Sequence, residues 1–156
     1  MITSLESLAD IQYALRREVG VFKPWTVNTS GVTFGTGGSI EAEYAVVGQI
    51  CFFVVQAEFG TGLSVGDFRF TQPPPEPHPA FTANNLPLGD AVLFDAGNAG
   101  FIGAVRRQGV GTLQVVQLNV SDHRWEPLSA TGQFTWAAGD RVKARGWYMI
   151  DPDWEP

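Results

Sequence analysis

The segment FTWAAGDRVKARGWYMI, residues 134–150, constrains the fold more than any other part of the chain. It reads as two short strands joined by a Gly-Asp turn. In the second, Arg141, Lys143 and Arg145 alternate with Val142, Ala144, Gly146 and Tyr148. Side chains of a strand point to opposite faces in turn, so the pattern marks a half-buried strand with one basic and one apolar face.

The totals agree with an all-β domain. A chain of 156 residues fits one domain and buries roughly 70% of the surface its unfolded form exposes. Eighteen glycines, ten prolines and sixteen Phe and Trp residues supply turns and aromatic core for a sandwich or barrel. Charged residues make up 17%, below the usual ~25%, which suggests surface covered by other copies of the chain. The net charge of −6 disfavours nucleic-acid binding, which needs a basic footprint. The one cysteine, Cys51, lies in the apolar run ICFFVV (50–55) and reads as a buried small hydrophobe. That run is far too short to span a bilayer, and the acidic start of the chain does not read as a secretory signal. The expectation is folding in a reducing cytoplasm without membrane insertion.

Along the chain, residues 3–19 carry the helix signal. Thr3 and Glu6 form a capping box, Leu5, Leu8, Ile11 and Leu15 make one apolar stripe, and Gly20 supplies a stop. An isolated helix of this length is marginal in water, so it must pack on its own sheet or on symmetry mates. Strands are expected at Trp25–Val27, Val32–Phe34, Ile40–Tyr44, Gln49–Phe59, Phe68–Phe70, Ala91–Asp95, Phe101–Val105 and Thr112–Val120, each bounded by Gly-rich turns. The run 50–55 is apolar at every position and implies cover on both faces. QPPPEPHP (72–79) holds five prolines in seven residues and reads as a stiff connector between sheets. SDHRWEPLSATG (121–132) reads as a polar loop. The expected organisation is a helical segment at 1–23, a β-sandwich at 24–150 and a tail at 151–156.

Catalytic motifs are missing from the sequence. His78 and His123 have no metal-ligand spacing, and no nucleophile elbow or P-loop occurs. The expectation is therefore a non-enzyme with no metal and no cofactor. Glu41 and Glu43 fall on one strand face roughly 7 Å apart. A glycosidase pair has such spacing, but so does any solvated strand face. The most chemically loaded stretch is Asp122, His123, Arg124 and Trp125. An exposed indole with polar neighbours can take a sugar face and its hydroxyls; the alternative is a loop that tucks Trp125 under the sheet edge.

Several of these segments, taken together, resemble the C-terminal β domains of minor tail proteins and tail fibres of siphophages of actinobacteria. The matching positions are Trp25 and Thr26, Tyr44 and Gly48, Ile50–Val55, Ala91–Asp95, and Trp136, Gly139, Asp140, Gly146 and Tyr148. The likeness covers residues 24–150 and rests on turn and core positions. It implies a jelly-roll-like sandwich of 8–10 antiparallel strands, homotrimeric, displayed on the virion tail and contacting other tail proteins and a host-surface glycan. Such domains usually end a much longer protein, whereas here a short helical segment precedes the β region. Competing readings are a lectin-like carbohydrate-binding module unrelated to phage and a glycan-active enzyme on a jelly roll.

The two readings of the N-terminal stripe are separable. If Leu5, Leu8, Ile11 and Leu15 form an oligomer seam, replacing Leu8 and Leu15 with Asp dissociates the assembly, as read by light scattering. If the stripe packs on its own sheet, the assembly survives.

Overall fold

The computed structural model describes residues 21–96 and 100–154. The helix expected over 3–19, with Leu5, Leu8, Ile11 and Leu15, lies outside the described residues. Within them the chain is nearly all β. The strands are β1 (Lys23–Pro24), β2 (Thr29–Thr33), β3 (Ser39–Val47), β4 (Ile50–Glu58) and β5 (Ser64–Thr71). After them come β6 (Pro87–Phe94), β7 (Gly100–Gly109), β8 (Thr112–Asn119), β9 (Arg124–Pro127) and β10 (Arg141–Met149). They form one antiparallel sheet in the order β1-β3-β4-β10-β6-β7-β8-β5-β2, with β9 pairing to β8. The only helical element among the described residues is a short 3-10 turn, Pro79–Phe81.

Alternation decides which side chains face the core. On β10, Val142, Ala144 and Tyr148 are buried while Arg141, Lys143 and Arg145 are exposed, as the sequence requires. Neighbouring β4 turns Cys51, Phe53, Val55 and Ala57 inward in the same register. The sheet curls, so distant strands meet across this core: Phe53 of β4 lies 6.4 Å from Phe70 of β5, centroid to centroid. One end is pinned by a bridge between Thr36 and Thr61 and by Phe34 packing on Phe59.

Four sequence expectations are corrected. Phe134–Trp136 is not a strand; Trp136 instead packs on Phe59 and Phe134 and donates its Nε1–H to the Ser129 carbonyl. Residues 124–127, read as loop, form β9, because Trp125 and its neighbours find a partner in the free end of β8. The strand buried on both faces is β8, where Leu113 through Gln117 are all buried, not β4, whose Phe52 and Val54 face outward. Gln114 and Val116 are covered because Asp67, Arg106 and Pro127 lie over or beside that face. The β2 region is also shifted: pairing starts at Thr29 and passes a bulge between Ser30 and Val32, where the sequence suggests a turn.

The proline run joins β5 to β6, strands separated in the sheet by β7 and β8. Tyr148 secures it by donating its hydroxyl to the Pro75 carbonyl at 2.8 Å. At the opposite end of β10, buried Asp140 accepts from the backbone N–H of Ala96 and of Ala137. Its own carbonyl accepts from Phe59 N–H. One residue thus ties together the ends of β4, β6 and β10, its carboxylate holding Ala96 and Ala137 and its backbone carbonyl holding Phe59. The tail also docks: Asp151 N–H bonds to the Glu76 carbonyl and Trp154 packs against the core.

Strand contacts at β6 and β10 leave no room for side chains. A Cβ on Gly89 would lie 1.9 Å from the Arg145 carbonyl oxygen. Gly89→Ala is expected to lower stability by about 3 kcal/mol in urea unfolding, since the obstruction is backbone that cannot rotate away.

Burial pushes the Cys51 thiol from 9.0 up to about 11, partly offset by its bond with Tyr148, and burial also raises the Tyr148 phenol well above its ordinary 10.0. Between 9.0 and 11 the folded chain therefore holds a proton that the unfolded chain has released, and stability falls as pH rises through that window. Denaturant titrations across the window should show this slope. In Cys51→Ala the part beginning at the thiol's ordinary value disappears, leaving the Tyr148 part above 10.0.

Candidate functional site

The four residues singled out in the sequence are held together at the tip of the β8–β9 hairpin. The turn is built from its own polar side chains. Asn119 Oδ1 accepts from Ser121 N–H at 2.9 Å, and Asp122 Oδ1 accepts from Arg124 N–H at 3.2 Å. His123 takes a left-handed backbone, φ 56°, which a short polar turn residue tolerates better than a β-branched one. Chain reversal then places Arg124 opposite Asn119 and Trp125 opposite Leu118.

All four side chains are accessible. Trp125 remains 45% exposed, so the tucked-loop alternative does not hold. Arg124 and Asp122 form a loose ion pair at 3.9 Å with both partners largely in solvent. Such a pair contributes little stability and leaves both groups free to meet a ligand.

Beside the hairpin lies a depression of about 460 Å³. Its polar walls include Asn119, Ser121, Glu126, Ser129, Thr131 and Gln133, with Phe101 and Leu118 as apolar surface. Trp125 is not one of its walls; it stands outside. Glu126 is fixed by bonds from Gln117 Nε2 at 2.9 Å and Asn119 Nδ2 at 3.1 Å. Gln133 Nε2 donates to the Leu118 carbonyl at 2.7 Å. This polar lining was not legible in the sequence, because Ser129, Thr131 and Gln133 come from the connector to β10 and reach the hairpin only through tertiary packing. The signal that was present is Glu126, two residues from Arg124.

Glu41 and Glu43 stand on the outward face of β3, opposite Gln56 and Val54. Both are exposed. Among the described residues no group of three or more His, Cys, Asp or Glu is arranged to hold a metal ion. His78 is occupied locally, its Nδ1 accepting from Ala80 N–H at 3.1 Å. No helix among the described residues is long and apolar enough to cross a membrane.

A second surface was only half anticipated. The outward face of β4, β10, β6 and β7 carries Phe52, Val54, Trp147, Val92, Phe94 and Ile102, all exposed in the single chain. Phe52 lies opposite Trp147, and Val92 opposite Ile102. The Arg145–Asp90 ion pair, with Nε–Oδ1 at 2.8 Å, divides this face. On one side is a depression of about 340 Å³ walled by Phe22, Phe52, Val54 and Trp147. On the other is one of about 270 Å³ walled by Val54, Val92, Phe94 and Lys143. The alternating sequence of β10 reveals the basic residues of this face. The apolar ones were visible too, but the run 50–55 alone does not say which of them face outward.

Comparison of the chain with models of protein families, with characterised proteins and with solved structures finds no match in any of the three.

Proposed function

We propose that the chain is a non-enzymatic structural and adhesive component of a phage or prophage-derived tail tip or fibre, acting as a homotrimer in host-surface attachment. The observation that carries the adhesive part is the β8–β9 tip. It presents an exposed indole, a guanidinium, an imidazole and a carboxylate beside a depression lined by hydroxyl and amide groups. An exposed aromatic plate with polar groups close by suits a glycan, whose rings have apolar faces and hydroxyl rims. The curled antiparallel sheet suits the jelly-roll-like sandwich that the resemblance implies. The outward apolar patch suits assembly, since contiguous exposed apolar surface marks interaction sites. Three tips on one particle raise a weak glycan affinity through effective concentration. On this reading the chain folds in the host cytoplasm, ends in the virion, and contacts other tail proteins.

A lectin-like module unrelated to phage would use the same tip as a monomer or dimer. Light scattering separates the two: the tail reading requires three copies, and a monomer contradicts it. The glycan-active alternative rests on Glu41 and Glu43. Hydrolysis of a cell-wall glycan that disappears in Glu41→Gln with Glu43→Gln would establish it in place of the adhesive reading.

Two variants test the assignment. Trp125→Ala should weaken binding to actinobacterial cell-wall polysaccharide at least about tenfold, or ~1.4 kcal/mol, measured by calorimetry or surface resonance. Folding stability should change by no more than about 0.5 kcal/mol, as for most exposed positions. Ile102, 70% exposed on β7, tests the assembly: Ile102→Asp should convert trimer to monomer with the unfolding transition preserved.

A further inference from the structure

We propose that the depression beside the β8–β9 hairpin is a subsite for one uncharged hexose ring, which donates two neighbouring hydroxyls to Glu126, and that it turns away uronic acids. The proposal rests on the adhesive reading of the tip and narrows that reading to a ligand class.

Glu126 is held in place by its neighbours before any ligand arrives. Its Oε1 accepts from Gln117 Nε2 and its Oε2 from Asn119 Nδ2. Gln117 is itself 1% exposed. Gly132 of the connector lies over the Gln117 amide, where a Cβ would come within 2.0 Å of Nε2. An ionised carboxylate only accepts, and it has room for about four hydrogen bonds. Gln117 and Asn119 take one on each oxygen, which leaves each oxygen one more. Hydroxyls on adjacent carbons of a pyranose present two donors side by side, the arrangement that meets both oxygens of one carboxylate. Bonds to a charged acceptor are roughly twice as strong as neutral ones.

The rest of the lining suits a sugar ring. A volume of about 460 Å³ is that of a small-molecule site. Phe101 supplies an apolar wall, and its ring is backed by Phe134, stacked on it at 5.1 Å and 19°. One face of a pyranose is a plate of C–H groups that can lie on such a ring, with its hydroxyl rim toward Glu126, Ser129 and Thr131.

Charge sets the class. Glu126 is the one ionisable residue among the described walls, and the chain as a whole carries a net charge of −6. A uronate would bring a second negative charge against Glu126 with no basic wall to offset it. Arg124 shares the Glu126 side of β9 but already has Asp122 at 3.9 Å. Alternation also puts Trp125 on the opposite side of β9 from Glu126. The indole and the depression therefore contact different parts of a polysaccharide, and a single hexose reports on the depression alone.

The test is a titration of the full chain, followed by the side-chain amide signals of Gln117 and Asn119. The probes are the methyl glycosides of glucose, galactose and mannose, each paired with its uronic acid. At least one hexoside should shift both amides and saturate, and its uronide should bind at least about tenfold more weakly. Glu126→Gln should weaken the hexoside at least about tenfold, as loss of hydrogen bonds to a charged group implies. Trp125→Ala should leave hexoside binding unchanged while weakening the polysaccharide. Val120 is a wall of the depression and 74% exposed, so Val120→Lys adds a positive charge without touching the core. At low salt that variant should narrow the gap between hexoside and uronide. Equal binding of the two sugars, hexoside binding indifferent to Glu126→Gln, or a gap that Val120→Lys leaves intact would overturn the proposal. Polysaccharide binding that persists and depends on Trp125 in any of those cases would leave the adhesive reading standing. Absence of both hexoside and polysaccharide binding would end the adhesive reading and this proposal together.

Discussion

The structure depends on the inward row of aromatic side chains that forces the sheet to curl. β4 and β5 are five strand spacings apart in the sheet order, which in a flat sheet would separate them by about 24 Å. Phe53 and Phe70 nevertheless meet at 6.4 Å. Phe68 packs on both Phe70 and Phe34, and Phe34 on Phe59, so the contact continues around the interior. Burying these rings stabilises the fold by roughly 2–3 kcal/mol each, and only a closed-up sheet can bury them all. Local details serve the same end. Gly89 and Gly146 let β6 and β10 approach beneath the Phe53 ring, and Asp140 holds three strand ends through its carboxylate and its backbone carbonyl.

Curling uses up one face of the sheet and leaves the other. Where loops or strands cross the outer face, as over β8, even Gln114 becomes buried. Asp67 binds it, and although burial opposes the Asp67 charge, Arg69 and Gln114 hold that carboxyl below its usual range. Over β4, β10, β6 and β7, where no described strand or loop crosses, apolar side chains are exposed. The β8–β9 tip lies on the far side of the sheet order from this patch, beyond β7. The surfaces proposed for assembly and for ligand contact are therefore separate. The interior carries a cost at Arg107, which is 2% exposed with Gln72 as its hydrogen-bonding side-chain partner, and burial pushes its pKa down.

What could be read from the sequence was what depends on neighbours along the chain. Strict alternation in 141–148 gave the correct faces of β10, and Gly-rich punctuation gave most strands among the described residues. Cys51 was identified as a buried thiol from its apolar flanks. What failed depends on partners far along the chain. Phe134–Trp136 has strand-like residues, but Trp136 spends them on ring contacts with Phe59. Trp125 sits in a polar stretch with no strand signal, yet the free end of β8 recruits it. The apolar run 50–55 could not show that its even-numbered residues lack cover. Of the candidate site, Asp122 to Trp125 was legible because exposed polar turns are local, whereas Ser129, Thr131 and Gln133 join it only through the packing of the connector.

The curl around an aromatic interior is tested most directly by nuclear Overhauser contacts between the rings of Phe53 and Phe70 in a selectively labelled chain. The structure predicts clear ring-to-ring cross-peaks between these two residues, together with a second set between Phe34 and Phe59. A folded, fully dispersed spectrum in which Phe53 and Phe70 share no cross-peak would mean that the sheet does not close on itself, and the core described here would be wrong.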